Sequence, residues 1–265
     1  MNLHSLKTNA RVVRAVFEMT LKQFATDLFI IFTVLIQPLM VALLALWMLH
    51  GTKSDDGIYV VVGSGMSGLW SSLLFMGGNS ITVERWLGTL QTIIGVPTEI
   101  SVIAFGKNLA NVVQSLASMV ICYIIAALLF NYNLSVAQPI LFVISLLLTI
   151  VAFVSFGLIL SPIFLLNPAM QQLQNGLEFP VYILAGFLFP IALLPGWTTP
   201  LSYILPPYWA ARALHASSSS GGTLQEIVLS WAMLLLFSVV YLLISRRLFQ
   251  IVLYRARNNA TLDMQ

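Results

Sequence analysis

The sequence predicts an all-α membrane protein with six transmembrane helices, and three observations carry that reading. Of 265 residues, 59% are hydrophobic and only 8% are charged, against about 25% in an ordinary soluble domain. Six mostly apolar runs of about 20 residues, the length that crosses a bilayer, follow one another along the chain. In a six-span arrangement ten of the twelve basic residues fall on one side: Lys7, Arg11, Arg14, Lys22, Arg85, Lys107, Arg246, Arg247, Arg255 and Arg257. Only Lys53 and Arg212 fall on the other. Scarce charge excludes a soluble enzyme and a disordered chain. The net charge of +3 marks topology rather than a nucleic-acid footprint.

The elements follow in order. Residues 1–27 place four basic residues among apolar ones, with Val12, Val13, Val16, Phe17, Leu21 and Phe24 largely on one face. That pattern predicts an amphipathic surface helix, and no small-residue cleavage site marks it as a removable signal. The expected spans are roughly 28–49, 58–80, 105–130, 139–161, 173–194 and 225–245. Pro38 does not veto the first, because neighbouring groups in a bundle satisfy the freed backbone. Residues 28–245 thus form a six-span bundle, 246–265 a tail, and 1–265 a single transmembrane domain. An excess of Lys and Arg marks the cytoplasmic side, so both termini are expected there, in the plasma (inner) membrane. No connection is long enough for a separate soluble domain. No phosphate-binding G-x-x-x-x-G-K-[ST] loop is present, since Gly106-Lys107 lacks its upstream glycine and following hydroxyl.

The most informative connection is Glu84-Arg85-Trp86-Leu87-Gly88-Thr89-Leu90, continuing to Pro97. Leu87, Leu90 and Ile94 recur at helical spacing, so one helix with an apolar face is expected, ended by Pro97. Polar residues inside spans are costly in lipid and face the bundle interior or a water-filled path. They are Gln37, Asn79, the stripe Asn108, Asn111, Gln114, Ser115 and Ser118, and Glu178, the only acid well inside a span. These are candidates for a translocation path or for interhelical bonding, with Arg85 or Lys107 as partners for Glu178. Pro180, Gly186, Pro190, Pro195, Pro206 and Pro207 interrupt a stretch too apolar for a free loop, which predicts re-entrant half-helices. Trp197, Tyr203, Tyr208 and Trp209 suit an interfacial belt. Ser217–Gly222 reads as a flexible linker. Gly63-Ser64-Gly65-Met66-Ser67-Gly68 matches G-x-G-x-x-G, but inside a span it reads as close helix packing rather than a nucleotide site. Cys122 is alone, and His4, His50 and His215 lie apart, so neither a disulfide nor a metal site is expected.

Glu84-Arg85, Gly88-Thr89-Leu90, Pro97 and Gly106-Lys107, together with the Pro/Gly-punctuated region before Arg212, resemble the signature of type 2 ATP-binding-cassette (ABC) exporter permeases. The resemblance covers nearly the whole chain. It implies a non-enzymatic transmembrane subunit that pairs with a second permease, identical or homologous. A separate ABC ATPase, holding ATP and Mg, would dock from the cytoplasm. Residues 84–97 would be the coupling helix and residues 162–172 a smaller contact. The Gly88-Thr89-Leu90 form is similar to the drug and antibiotic-resistance branch, whereas Glu18–Asp27 departs from the polysaccharide-exporting relatives. The implied cargo is a hydrophobic or amphipathic compound such as a drug, antibiotic, peptide or lipid-like molecule. A lipid-linked glycan, sodium, or ion-coupled transport without an ATPase are the alternatives.

Overall fold

The computed structural model describes residues 3–24, 26, 28–32, 36–49, 57–96, 98–130, 136–219 and 221–259. In chain order these form α1 (Leu3–Phe24), α2 (Leu28–Ile31), α3 (Gln37–Leu49), α4 (Gly57–Ser72), α5 (Thr82–Trp86), α6 (Leu90–Gly95) and α7 (Ile100–Phe130). After them come α8 (Pro139–Leu166), α9 (Pro168–Gln172), α10 (Gln174–Leu184), α11 (Thr199–Ile204), α12 (Pro206–Ser218) and α13 (Leu224–Asn259). No strand occurs among the described residues.

Among the described residues, four segments are long and apolar enough to cross a membrane: Ile58–Trp86, Ile100–Ile125, Pro139–Leu166 and Leu224–Arg255. They answer to the second, third, fourth and sixth expected spans. The first expected span corresponds to α2 and α3, with residues 33–35 outside the described part. The fifth is shorter than expected. Its helix, α10, has 11 residues, because Gly186 turns the chain at φ +67° and Pro190 and Pro195 then open two short 3-10 turns. The sixth is longer than expected. One helix of 36 residues runs past 245 into the stretch read as a tail. Ser217 and Ser218 are not linker but the buried last turn of α12; their carbonyls accept from Gln138 and Ala137 N–H, both at 3.1 Å, which covers the entry of α8.

The main core joins Met66, Leu69 and Trp70 of α4 to Phe153 and Phe164 of α8, Phe187, and Trp209 and Leu214 of α12. Leu235, Leu236, Val239 and Leu243 of α13 stay exposed, so this helix turns apolar residues outward as well as inward, as a lipid-facing helix does.

Side-chain contacts fix the directions. α10 runs antiparallel to α4: Gln174 reaches Leu74 O, Tyr182 reaches Ser67 O, and Tyr59 reaches Gly186 O. The close approach at Gly63 is obligatory, because a Cβ there would lie 1.8 Å from Phe187 O. A second cluster closes one end of the bundle, joining Ile81, Leu90 and Ile100 to Val12 and Val16 of α1 and to Phe249 and Val252 of α13. The first helix and the last third of α13 therefore meet at the same end.

Candidate functional site

At that end lies the segment with the most sequence signal. The single helix expected over 84–97 is two short ones, α5 and α6, because Gly88 adopts φ +70°, a left-handed conformation that favours glycine. Thr89 closes the turn: its N–H donates to Glu84 O at 2.9 Å, and its hydroxyl donates to Glu84 O at 3.2 Å and to the Glu84 carboxylate. Lys107 of α7 pairs with the other carboxylate oxygen and donates to Ser80 O at 3.0 Å. The Glu84 and Lys107 side chains are only 12% and 14% exposed, unlike the Arg14–Glu18 pair on α1 at 82% and 53%, so the first pair is the one that holds structure. Beside Glu18, the Arg14 guanidinium keeps the exposed carboxyl below its usual range.

Most residues of the sequence pattern thus have a physical task. Glu84 is the anchor, Gly88 the turn, Thr89 the latch, and Leu90 the plug into the second core cluster. Gly106 lets α1 approach, since a Cβ there would lie 3.1 Å from Val13 O. Arg85 takes no part in this clasp, and Pro97 lies outside the described residues. The expected apolar face divides at the turn. Leu90 is buried, whereas Trp86 and Leu87 stand 62% and 64% exposed, next to a rigid anchor.

Further along the bundle a second polar centre forms around Glu178, which is buried. Its Oε1 accepts from Gln37 Nε2 at 2.7 Å, Ser71 Oγ at 2.5 Å and Tyr182 Oη at 2.8 Å. Ser71 and Tyr182 also touch each other. Three elements, α3, α4 and α10, therefore converge on one carboxylate oxygen. The expected pairing of Glu178 with Lys107 or Arg85 does not occur. Lys107 is engaged by Glu84, and the ion pairs among the described residues are Arg14–Glu18, Lys107–Glu84 and Arg212–Glu226. Immediately after Ser71 and Ser72 the helix widens to a π-helical stretch at Leu73–Gly77, where Gly78 N–H donates to Leu73 O at 2.9 Å. Such a widening recurs at functional sites.

The remaining polar candidates spread over the bundle. Asn79 bonds Phe75 O at 2.9 Å and Gln174 Oε1 at 3.4 Å. Asn108 bonds Ala104 O at 2.9 Å. It occupies the space of two missing side chains: a Cβ on Gly77 or Gly157 would lie 2.5 or 2.2 Å from its Oδ1. Asn111 is buried, and its carbonyl accepts from Ser72 and Ser115. Gln114 donates to Thr20 O of α1 at 3.3 Å. Sequence reasoning singled out Gln37 and Glu178 but missed Ser71 and Tyr182. For Tyr182 a signal existed: it lies four residues after Glu178, on the same helix face.

The Pro/Gly-rich region lies at the opposite end of α4. Pro180 is within α10, exposed. Pro190 and Pro195 precede the 3-10 turns, and Trp197 is 73% exposed. Pro206 and Pro207 start α12 at the positions where a missing N–H costs least. Trp209 donates to Tyr203 O at 2.9 Å, which ties α11 to α12. Among the described residues no cluster of His, Cys, Asp or Glu forms a metal site.

Among the described residues, long apolar helices packed around a buried acid mark a membrane-embedded bundle. Residues 11–218 match the ABC-2 type transporter family, and the chain belongs to that family. Its members are membrane transport components, not themselves catalytic, that normally pair with an ABC ATPase subunit. Among curated proteins nothing matches the chain.

Proposed function

We propose that the chain is the transmembrane subunit of an exporter that moves a hydrophobic or amphipathic compound out of the cell. ATP is hydrolysed, with Mg, on a separate ABC ATPase, and a second permease copy or homologue completes the pathway. The supporting observation is the clasp of Glu84, Thr89 and Lys107. It presents exposed Trp86 and Leu87 on a turn anchored to α7, while Gly106 admits α1 against the same helix. A partner that moves this turn moves α7 with it, which is what a coupling element requires. Arg85 and Pro97 complete that segment in the proposal.

In this reading the chain is one transmembrane domain in the inner membrane. It has six passes, both termini in the cytoplasm, α1 as an interfacial helix and the Pro/Gly-punctuated stretch between spans five and six as the re-entrant outer region. Two observations support a six-pass arrangement: α1 and the end of α13 meet in one cluster, and α10 runs antiparallel to α4. Gln37, Asn79, Asn108, Asn111, Gln114 and Glu178 are the polar residues proposed to border the path.

The test is co-purification followed by reconstitution. A tagged chain should bring down a nucleotide-binding subunit, and a panel of hydrophobic and amphipathic compounds should include one that stimulates its ATPase. Capture of no nucleotide-binding chain sinks the exporter reading. Glu84→Gln should leave the chain inserted while transport per ATP hydrolysed falls.

A further inference from the structure

A cavity of about 530 Å³ opens between the start of α4, the Gly186 turn, α11, α12 and the start of α13, within the range of about 300–1,000 Å³ of small-molecule sites. Its polar lining is specific. Arg212 on α12 faces Glu226 on α13 at 3.3 Å, and both side chains remain partly open, at 27% and 43% exposure. A single contact at that distance is a weak bond. Arg212 also lies 5.8 Å over the Trp209 ring, which holds the guanidinium in place.

His215 lines the same cavity and is 7% exposed. Its Nε2 meets Phe187 O at 3.1 Å. A carbonyl only accepts, so Nε2 carries the hydrogen and Nδ1 is left as an acceptor. That Nδ1 is buried without a partner. Tyr59 stacks on the imidazole at 3.5 Å and 7° and donates to Gly186 O at 3.1 Å, so the ring is fixed. Tyr203, Tyr208 and Ile191 supply apolar and aromatic wall.

We propose that this cavity binds a zwitterionic amphiphile, with its anionic group on Arg212, its ammonium on Glu226, and its apolar body against Tyr203, Tyr208 and Ile191. The charge argument selects the class. A singly charged ligand that separates Arg212 from Glu226 leaves one of them unpaired at a half-buried site. A zwitterion gives each a partner and leaves none. Two sources present this chemistry: a free molecule such as a short peptide, and the ethanolamine phosphate headgroup of a lipid.

The test uses the full chain in nanodiscs of phosphatidylglycerol, which contain no zwitterion. The probes are the dipeptide Phe-Leu, its N-acetyl form (anion only) and its amide (cation only). Binding is read by thermal midpoint and by titration. Phe-Leu is expected to bind about tenfold more tightly than either derivative, the loss of one charge-assisted hydrogen bond. Arg212→Gln should abolish the preference over the amide, and Glu226→Gln the preference over the N-acetyl form. Equal binding of the three probes to the unmodified protein overturns the proposal, whatever the variants do, and so does a preference that survives both substitutions. Doping the discs with phosphatidylethanolamine separates the sources. A raised midpoint with weakened Phe-Leu binding assigns the site to the headgroup, and an unchanged one with Phe-Leu still bound assigns it to a free zwitterion. If neither the dipeptide nor the lipid shifts the midpoint, the proposal falls. The readout is binding alone, so it succeeds or fails independently of ATP-driven export.

Discussion

At the scale of single residues, Gly88 and Glu84 hold the same turn by different physics. A Cβ on Gly88 meets nothing within 4 Å, so the whole objection to a side chain there is φ +70°. Gly88→Ala should therefore cost about 1 kcal/mol in backbone strain and loosen the turn. Gly88→Asn should cost less, because Asn tolerates the left-handed region. Differential scanning of both variants, with ATPase-coupled transport, checks the ranking; a more stable Ala variant would refute the turn argument. Glu84→Gln leaves the Lys107 ammonium facing a neutral amide in a mostly buried position, at about 2 kcal/mol. Lys107→Gln should cost a similar amount, and the double variant less than the sum of the two. A thermodynamic cycle on the purified protein measures that coupling; additivity would show that the pair does not act as a unit.

At the scale of elements, α4 and α10 act as one antiparallel pair, held at one end by Gly63 against the Phe187 carbonyl and in the middle by the Glu178 centre. Gly63→Ala forces a methyl onto backbone, which cannot swing aside as a side chain can. A loss of about 2 kcal/mol or failure to fold is expected, the cost of overpacking, read as a lowered thermal midpoint or lost monodisperse protein. Glu178→Gln is a finer probe. The amide keeps an acceptor oxygen for Gln37, Ser71 and Tyr182, so stability should change by less than about 1 kcal/mol while the charge is lost. If Glu178 borders the path, transport should change in rate or pH profile. Unchanged values in both would leave it a purely structural hub.

These two centres also show what could be seen in the chain before its structure. Part of the Glu84 clasp was legible: Gly88, Thr89 and Leu90 follow Glu84 within six residues, whereas Lys107, 23 residues on and inside α7, was expected to partner Glu178. The division of that segment into two helices was not legible, since apolar spacing reads the same through a glycine in either backbone region. The Glu178 centre was half legible. An acid in a span announces itself, but its donors Ser71 and Gln37 lie 107 and 141 residues away in sequence, and no periodicity links them. The extra length of α13 was hidden by its charges, because Arg246 and Arg247 read as the end of a span although helix continues through them.

At the scale of the whole molecule, the two ends of the bundle differ in kind. One end gathers α1, α5, α6, the entry of α7 and the last third of α13 around an apolar cluster with an ion pair at its rim. The other opens into a cavity roofed by short, proline-started pieces. α4 runs between them, from Tyr59 on the cavity wall to the π-helical widening just before the clasp. Replacing Trp86 and Leu87 together with Ser should leave the thermal midpoint unchanged, since both side chains are exposed, and abolish capture of the ATPase partner. A fall in midpoint without loss of capture would place the partner elsewhere.

The Glu178 centre also has a consequence for how the chain is made. Ribosomes add about 5–20 residues per second, so Gln37 emerges on the order of ten seconds before its acceptor exists, and Ser71 waits nearly as long. Throughout that interval the first helices carry polar groups whose final partner has not been synthesised. The centre is therefore completed late: only once Glu178 has been added can one carboxylate draw α3, α4 and α10 together.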